Sequence, residues 1–184
     1  SELDVDLQQA VNCVAERSSS LRFPQIHWMM PMQLAQYISA DQVCMDLESH
    51  SRDEAIHEIL DQLVEAGALQ SDEVEPVLRA IVQRETLGTT AIGRQVAVPH
   101  ARLEHLEETV IGVGLSREGV EFHALDGQPV RGMFLVLGSP EKPEQYIDVM
   151  KSISEMIQTE DFRRFLWRSQ NPGEVVELMD EMAV

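Results

Sequence analysis

The sequence predicts an α/β domain in which helices cover both faces of a sheet. Short apolar runs of strand length alternate along the chain with amphipathic segments of helix length. Two of these runs, 110–115 and 132–137, are apolar almost throughout, the pattern of strands buried on both faces. A length of 184 residues suits one domain with a sizeable core, and an apolar content of 43% is ordinary for a globular protein.

The elements follow in order. Residues 1–31 differ from the rest and read as an N-terminal extension or linker. Leu3, Leu7, Ala10, Val11 and Val14 recur at helical spacing, Ser18-Ser19-Ser20 breaks the pattern, and an irregular apolar stretch runs to Pro31. The extension could dock on the domain, mediate self-association or connect to another segment. The regular domain occupies 32–184. Residues 43–47 alternate as a short strand. Ser51 caps a helix, with Glu54 completing a capping box. The helix buries Ala55, Ile56, Ile59, Leu60, Leu63 and Val64 and ends at Gly67. Ser71 opens a second helix, with Asp72 and Glu73 at its positive end and Val74, Val77, Leu78, Ile81 and Val82 facing inward. It runs into Arg84-Glu85.

Residues 96–98 form a short strand. The two apolar strands follow, with a separate segment at 120–122 and an Asp126-Gly127 turn between them. A helix is expected at about 143–158, with Ile147, Met150, Ile153, Met156 and Ile157 inward. A short helix at 161–167 comes next. Asn171 as N-cap and Pro172 at N1 open a last helix through Met182.

Net charge is −18, from 32 acidic and 14 basic residues. That balance argues against nucleic-acid binding and against docking on anionic lipids, and it would steer basic protein partners toward the chain. No apolar run is long enough to span a bilayer and no secretory leader is evident. Cys13 and Cys44 form no CxxC pair and read as packing residues in a reducing, cytoplasmic setting.

The chemistry gathers between residues 84 and 102. His100 follows Val98-Pro99 at the end of a strand, where ligands collect in open α/β sheets. Pro99 fixes its own φ and holds Val98 extended, so the imidazole stands on a stiff support. An imidazole is mostly neutral and nucleophilic near neutral pH; either ring nitrogen could attack if the other is held. Gly88 and Gly93 let backbone N–H groups turn toward an anion. Thr89 and Thr90 add hydroxyls, and Arg84 a planar guanidinium fork. Arg102 is a second candidate cation. These parts suit phosphoryl transfer, which depends on positioning and charge stabilisation. They require no metal and no cofactor.

The other histidines, His27, His50, His57, His105 and His123, make no HxxxH, HExxH or Cys/His cluster, so no zinc site is expected. No G-x-S-x-G and no P-loop motif occurs, which disfavours hydrolase and nucleotide-binding classes.

The ordered string Arg84-Glu85, Gly88-Thr89-Thr90-Ala91-Ile92-Gly93 and Val96-Ala97-Val98-Pro99-His100-Ala101-Arg102 resembles a known signature. It is similar to that of the fructose/mannitol-type enzyme IIA (EIIA) domains of the bacterial phosphoenolpyruvate:sugar phosphotransferase system (PTS). The nitrogen-regulatory IIA proteins belong to that family. The resemblance runs from about 32 to 182 and takes in the Phe122-His123-Ala124-Leu125-Asp126-Gly127 turn and the Asn171-Pro172-Gly173-Glu174 helix start.

The resemblance implies a central mixed β-sheet flanked by helices on both faces, a three-layer α/β/α sandwich. It implies that His100 accepts a phosphoryl group from the phosphocarrier HPr or its nitrogen-branch counterpart, with Arg84 beside the phosphohistidine. A IIB domain or a regulated protein would be the downstream partner. Tyr146 stands where family members often carry a second histidine, and Gln95 where Gly is frequent. A tyrosine hydroxyl can donate to a phosphoryl oxygen but carries no imidazolium charge. Two function classes follow: a phosphotransfer domain, and a regulatory binding module with weak or no transfer. A third reading keeps the fold with a silent site.

Overall fold

Strand and helix alternate as the apolar pattern requires. A computed structural model describes residues 33–104 and 106–183. The strands are β1 (Val43–Cys44), β2 (Val96–Ala97), β3 (His100–Arg102), β4 (Val110–Val120) and β5 (Val130–Gly138). The helices are α1 (Arg52–Glu65), α2 (Val74–Thr86), α3 (Pro143–Gln158), α4 (Glu160–Leu166) and α5 (Pro172–Met182). The two apolar strands, β4 and β5, pair antiparallel at the centre, with Ile111 opposite Val136 and Val113 opposite Phe134. β1 adds parallel to β4, while β2 and β3 both add parallel to β5. The sheet is therefore mixed.

Register explains the burial of both faces. Residues paired across strands point to the same side. Gly112 and Gly114 pair with Leu135 and Met133, and a Cβ on either glycine would run into Ile59 of α1. That face carries α1 and α2, with Leu60, Leu63, Val77 and Ile81 in its core. On the other face of β5, a Cβ at Gly132 would meet Trp167 and Leu166, and one at Gly138 would meet Tyr146 of α3. Phe134 lies on this face with its ring centroid 6.0 Å from that of Phe162 in α4. Helices thus cover both sides, and no polar alternation is left along the central strands. No helix among the described residues is long and apolar enough to cross a membrane.

Several elements differ from expectation for local reasons. The strand expected over 43–47 is confined to Val43–Cys44, although the Leu47 N–H still donates to the Leu115 carbonyl. Ser51 occupies the N-cap position of α1, but its hydroxyl donates to the Glu54 carboxylate at 2.7 Å and caps no backbone N–H. Ser71 opens a 3-10 turn (Ser71–Glu73), where Glu73 accepts from the Gln70 N–H, and α2 begins at Val74. The 120–122 segment is no separate strand. β4 continues to Val120 through a bulge, with Gly119 at φ +88° and its N–H on the Ser116 hydroxyl.

In α3 the buried stripe is Tyr146, Val149, Met150, Ile153, Met156 and Ile157. Ile147, expected inward, is 43% exposed because Tyr146 takes the inward position one residue earlier. Asn171 accepts from the Glu174 N–H and Pro172 stands in the first turn of α5, as the sequence predicts. The extension expected at 1–31, with Cys13 and His27, lies outside the described residues, as does His105.

Cys44 is half-buried, 3.8 Å from Glu58 Oε1. Burial, aided by the Glu58 charge, pushes its thiol up from the ordinary value. The thiolate fraction near neutral pH is correspondingly small. Cys44 is therefore expected to alkylate with iodoacetamide at pH 7 more slowly than a free cysteine thiol, measured by mass spectrometry of the Cys44 peptide against time. Alkylation at the rate of free cysteine would contradict this.

Candidate functional site

Proline places His100 in a strand rather than after one. Pro99 has no N–H to donate, but its carbonyl accepts from the Val136 N–H at 3.0 Å, and the Leu103 N–H donates to the Gly138 carbonyl at 3.0 Å. β3 is thereby held on β5, with His100 opposite Val136 and Arg102 opposite Gly138. Both side chains stand on the face covered by α3, and Ala101 between them packs toward the α1–α2 core.

His100 Nδ1 lies 2.9 Å from the Val98 carbonyl oxygen. A carbonyl can only accept, so the hydrogen belongs on Nδ1 and Nε2 is the lone-pair nitrogen. The sequence left this choice open; the direction of one backbone carbonyl decides it.

The loop after α2 is tied to the same carbonyl-bearing residue. Glu85 is turned inward and 5% exposed. Its carboxylate accepts from the Thr90 N–H at 2.9 Å and from the Thr90 hydroxyl. The Thr90 carbonyl in turn accepts from the Val98 N–H at 3.3 Å. A continuous chain of hydrogen bonds therefore runs from Glu85 through Thr90 and Val98 to the imidazole of His100. Arg84, at the helix end, donates to the Gly88 carbonyl at 3.2 Å.

The two threonines divide. Thr90 is buried and its hydroxyl hydrogen goes to Glu85. Thr89 is half-buried and its hydroxyl oxygen accepts from the Ala91 N–H at 3.2 Å. Gly93 is in the left-handed region at φ +101° and serves the turn into β2, where its carbonyl accepts from the Val96 N–H. A Cβ there would lie 3.0 Å from the Asp126 carboxylate, an anionic neighbour. Val96 pairs with Gly132 and His100 with Val136, four residues or roughly 13 Å apart along β5. Gly93 thus lies toward the opposite end of the sheet from His100. Gln95 follows at φ +64°, which explains why glycine suits that position.

Tyr146 is buried against Gly138, its ring centroid 6.5 Å from that of His100. The Arg102 guanidinium lies over the Tyr146 ring at 5.0 Å. The first turn of α3 is anchored beside it: Gln145 accepts from the Thr109 N–H at 3.0 Å and donates to Glu108 at 2.9 Å. Lys142 also bonds Glu108, and these two donors, Lys142 first, hold the Glu108 carboxyl below its ordinary range. The structure brings His100, Arg102 and Tyr146 together. It links Thr90 to His100 through backbone, and it sets Gly93 apart. Sequence reasoning missed Glu85, the Val98 carbonyl and Gly138. No group of histidine, cysteine or carboxylate side chains among the described residues could hold a metal.

A mixed sheet covered by helices on both faces is the fold shared with enzyme IIA domains. The chain belongs to the family described as "Phosphoenolpyruvate-dependent sugar phosphotransferase system, EIIA 2", whose profile matches residues 36–182. The fructose-specific EIIABC component of Bacillus subtilis is 23% identical over 82% of this chain, which spans only 23% of that protein's length. The fructose-specific EIIA component of Haloferax volcanii is 26% identical over 72% of this chain and 84% of its own. A nitrogen regulatory protein of Bradyrhizobium diazoefficiens is 25% identical over 80% of this chain and 95% of its own.

Among solved structures, nitrogen regulatory protein IIA-Ntr of Neisseria meningitidis superposes with a TM-score of 0.71 at 23% identity, covering 79% of this chain and 98% of that one. The mannitol IIA of Escherichia coli, in its complex with phosphorylated IIB, matches with a TM-score of 0.60 at 22% identity, covering 77% of this chain and 96% of that one. EIIA domains are phosphotransferase components, and a IIA domain of this fold docks a IIB partner.

Proposed function

We propose that residues 32–184 form a phosphohistidine transfer domain acting in the cytoplasm, with Nε2 of His100 as phosphoryl acceptor. The observation that carries this is the 2.9 Å contact of Nδ1 with the Val98 carbonyl on a strand-fixed histidine. The Nε2 lone pair attacks the phosphorus of a phosphorylated carrier, HPr or its nitrogen-branch counterpart. A new N–P bond forms, the carrier's N–P bond breaks, and the carrier's nitrogen leaves with the electron pair. His100 keeps its Nδ1 hydrogen on Val98, which stabilises the positive ring beneath the phosphoryl group. Arg102 meets the phosphoryl oxygens, with Arg84 from the last turn of α2 and Thr89 from the loop that follows. Thr90 positions Val98. No resident cofactor is required. Onward transfer to a IIB domain reverses the same step.

A second reading is favoured by Tyr146 in place of the second histidine. In it the added phosphoryl charge changes which protein docks on this face, and onward transfer is weak. The chain's match to nearly the whole length of a nitrogen regulatory protein supports it.

The test is incubation with phosphoenolpyruvate, enzyme I and HPr, beside a His100→Ala control. The native chain should gain the mass of one acid-labile phosphoryl group and the variant none. An unlabelled native chain, beside a labelled IIA control in the same tube, would sink the transfer reading. Labelling with no onward passage to a IIB domain would favour the regulatory one.

A further inference from the structure

Tyr146 brings no fixed charge to the site, yet its ring adjoins both ionisable side chains of β3. It is 1% exposed and stands on Gly138, where a Cβ would lie 2.2 Å from Cδ2 and 2.7 Å from Cγ. Its position is therefore set by the backbone of β5. The register sets Arg102 directly opposite Gly138, so the neighbouring strand delivers the guanidinium onto the ring. The guanidinium lies 5.0 Å from the ring centroid. The His100 ring is 6.5 Å from the same centroid and tilted by 57°. A guanidinium over an aromatic face is attracted by the ring quadrupole and by stacking, so a long flexible side chain acquires one preferred place.

We infer that Tyr146 is a positioning residue whose ring face, through Arg102, supplies the site with a fixed cation beside the His100 imidazole. The inference rests on the transfer reading of His100. The guanidinium meets the equatorial oxygens of the phosphoryl group as it passes to Nε2, and the tyrosine hydroxyl takes no part. The residue that breaks the family pattern thereby brings charge to the site at second hand.

The test is single-turnover phosphoryl uptake from phosphorylated HPr by the full chain. Tyr146→Phe keeps the ring and should retain the native rate within about twofold, since phenylalanine also binds cations on its face. Tyr146→Leu should slow uptake about tenfold at saturating HPr, with the HPr concentration for half-maximal rate unchanged. Arg102→Met should slow it at least about tenfold, and Arg102→Lys should restore part of that loss. The double variant Tyr146→Leu/Arg102→Met should be no slower than Arg102→Met alone, because both changes remove one interaction.

The Arg102 Nε–H proton resonance gives an independent readout. It should carry an upfield ring shift in the native chain and in Tyr146→Phe, and lose it in Tyr146→Leu. A Phe variant as slow as the Leu variant, or losses that multiply in the double variant, would overturn the positioning role. Should Tyr146→Leu fail to fold, the Phe variant's rate and the native Arg102 shift decide the matter. An unlabelled native chain would overturn the transfer reading itself, whereas a labelled chain indifferent to the Arg102 and Tyr146 changes would overturn the inference alone.

Discussion

Gly138→Ala is expected to destabilise the protein by about 3 kcal/mol, at the upper end of ordinary overpacking. The added methyl would lie 2.2 Å from Cδ2 of Tyr146, well inside contact distance. Neither partner can yield cheaply. Gly138 is held against β3, by its pairing with Arg102 and by its carbonyl, which accepts from the Leu103 N–H. Tyr146 is a rigid ring, buried within the stripe of α3. This distinguishes Gly138 from Gly114, where the close atoms are the ends of Ile59 and Leu47 side chains, which can rotate. In a chain of this size the thermal midpoint should fall by about 10 °C. Adding Tyr146→Leu to Gly138→Ala should recover part of the loss, since the smaller side chain gives the methyl room. Urea unfolding measures both. A single variant within about 0.5 kcal/mol of native would show that the ring has another comfortable place.

Glu85→Ala is expected to cost about 3 kcal/mol as well, for an electrostatic reason. The carboxylate is buried and receives two donors from Thr90, which is itself buried. Truncation leaves an N–H and a hydroxyl without acceptors in a region water does not reach, and it removes the outermost link of the chain leading to His100. Glu85→Gln keeps one acceptor oxygen and should lose roughly half as much. Phosphoryl uptake should fall in both variants, because the Thr90–Val98 link then sets the imidazole less firmly. Amide exchange at Thr90 should accelerate in Glu85→Ala more than at Phe134 in β5. A variant as stable as native, with Thr90 still protected, would refute the linkage.

The parts of the fold that were legible in the sequence depend on local pattern. Asn171-Pro172 marks a helix start by chain geometry alone, and the apolar runs at 110–115 and 132–137 announce strands without reference to partners. Ile147 was misplaced because two apolar residues near the start of α3 compete for one inward position. The competition is settled by Gly138, a residue on another element that admits the larger ring. β4 was read as interrupted because Ser116, Arg117 and Glu118 are polar. The Ser116 hydroxyl satisfies the Gly119 N–H, so the strand crosses them as a bulge.

The site divides in the same way. The ordered signature singled out His100, Arg84 and the threonine loop. The inward turn of Glu85, the choice of ring nitrogen and the seating of Arg102 each depend on a non-local neighbour, which no residue spacing displays. The two threonines are adjacent and chemically alike, and only the fold separates the one that faces Glu85 from the one that does not.

The pairing of β3 with β5 makes the site inseparable from the core. The backbone that carries His100 and Arg102 hydrogen-bonds to the most enclosed strand of the sheet, and the aromatic wall rests on that same strand. Imidazole, guanidinium and ring therefore belong to one cooperative unit with the central hydrophobic layer. The arrangement of these three side chains is therefore expected to persist on warming until the whole domain melts.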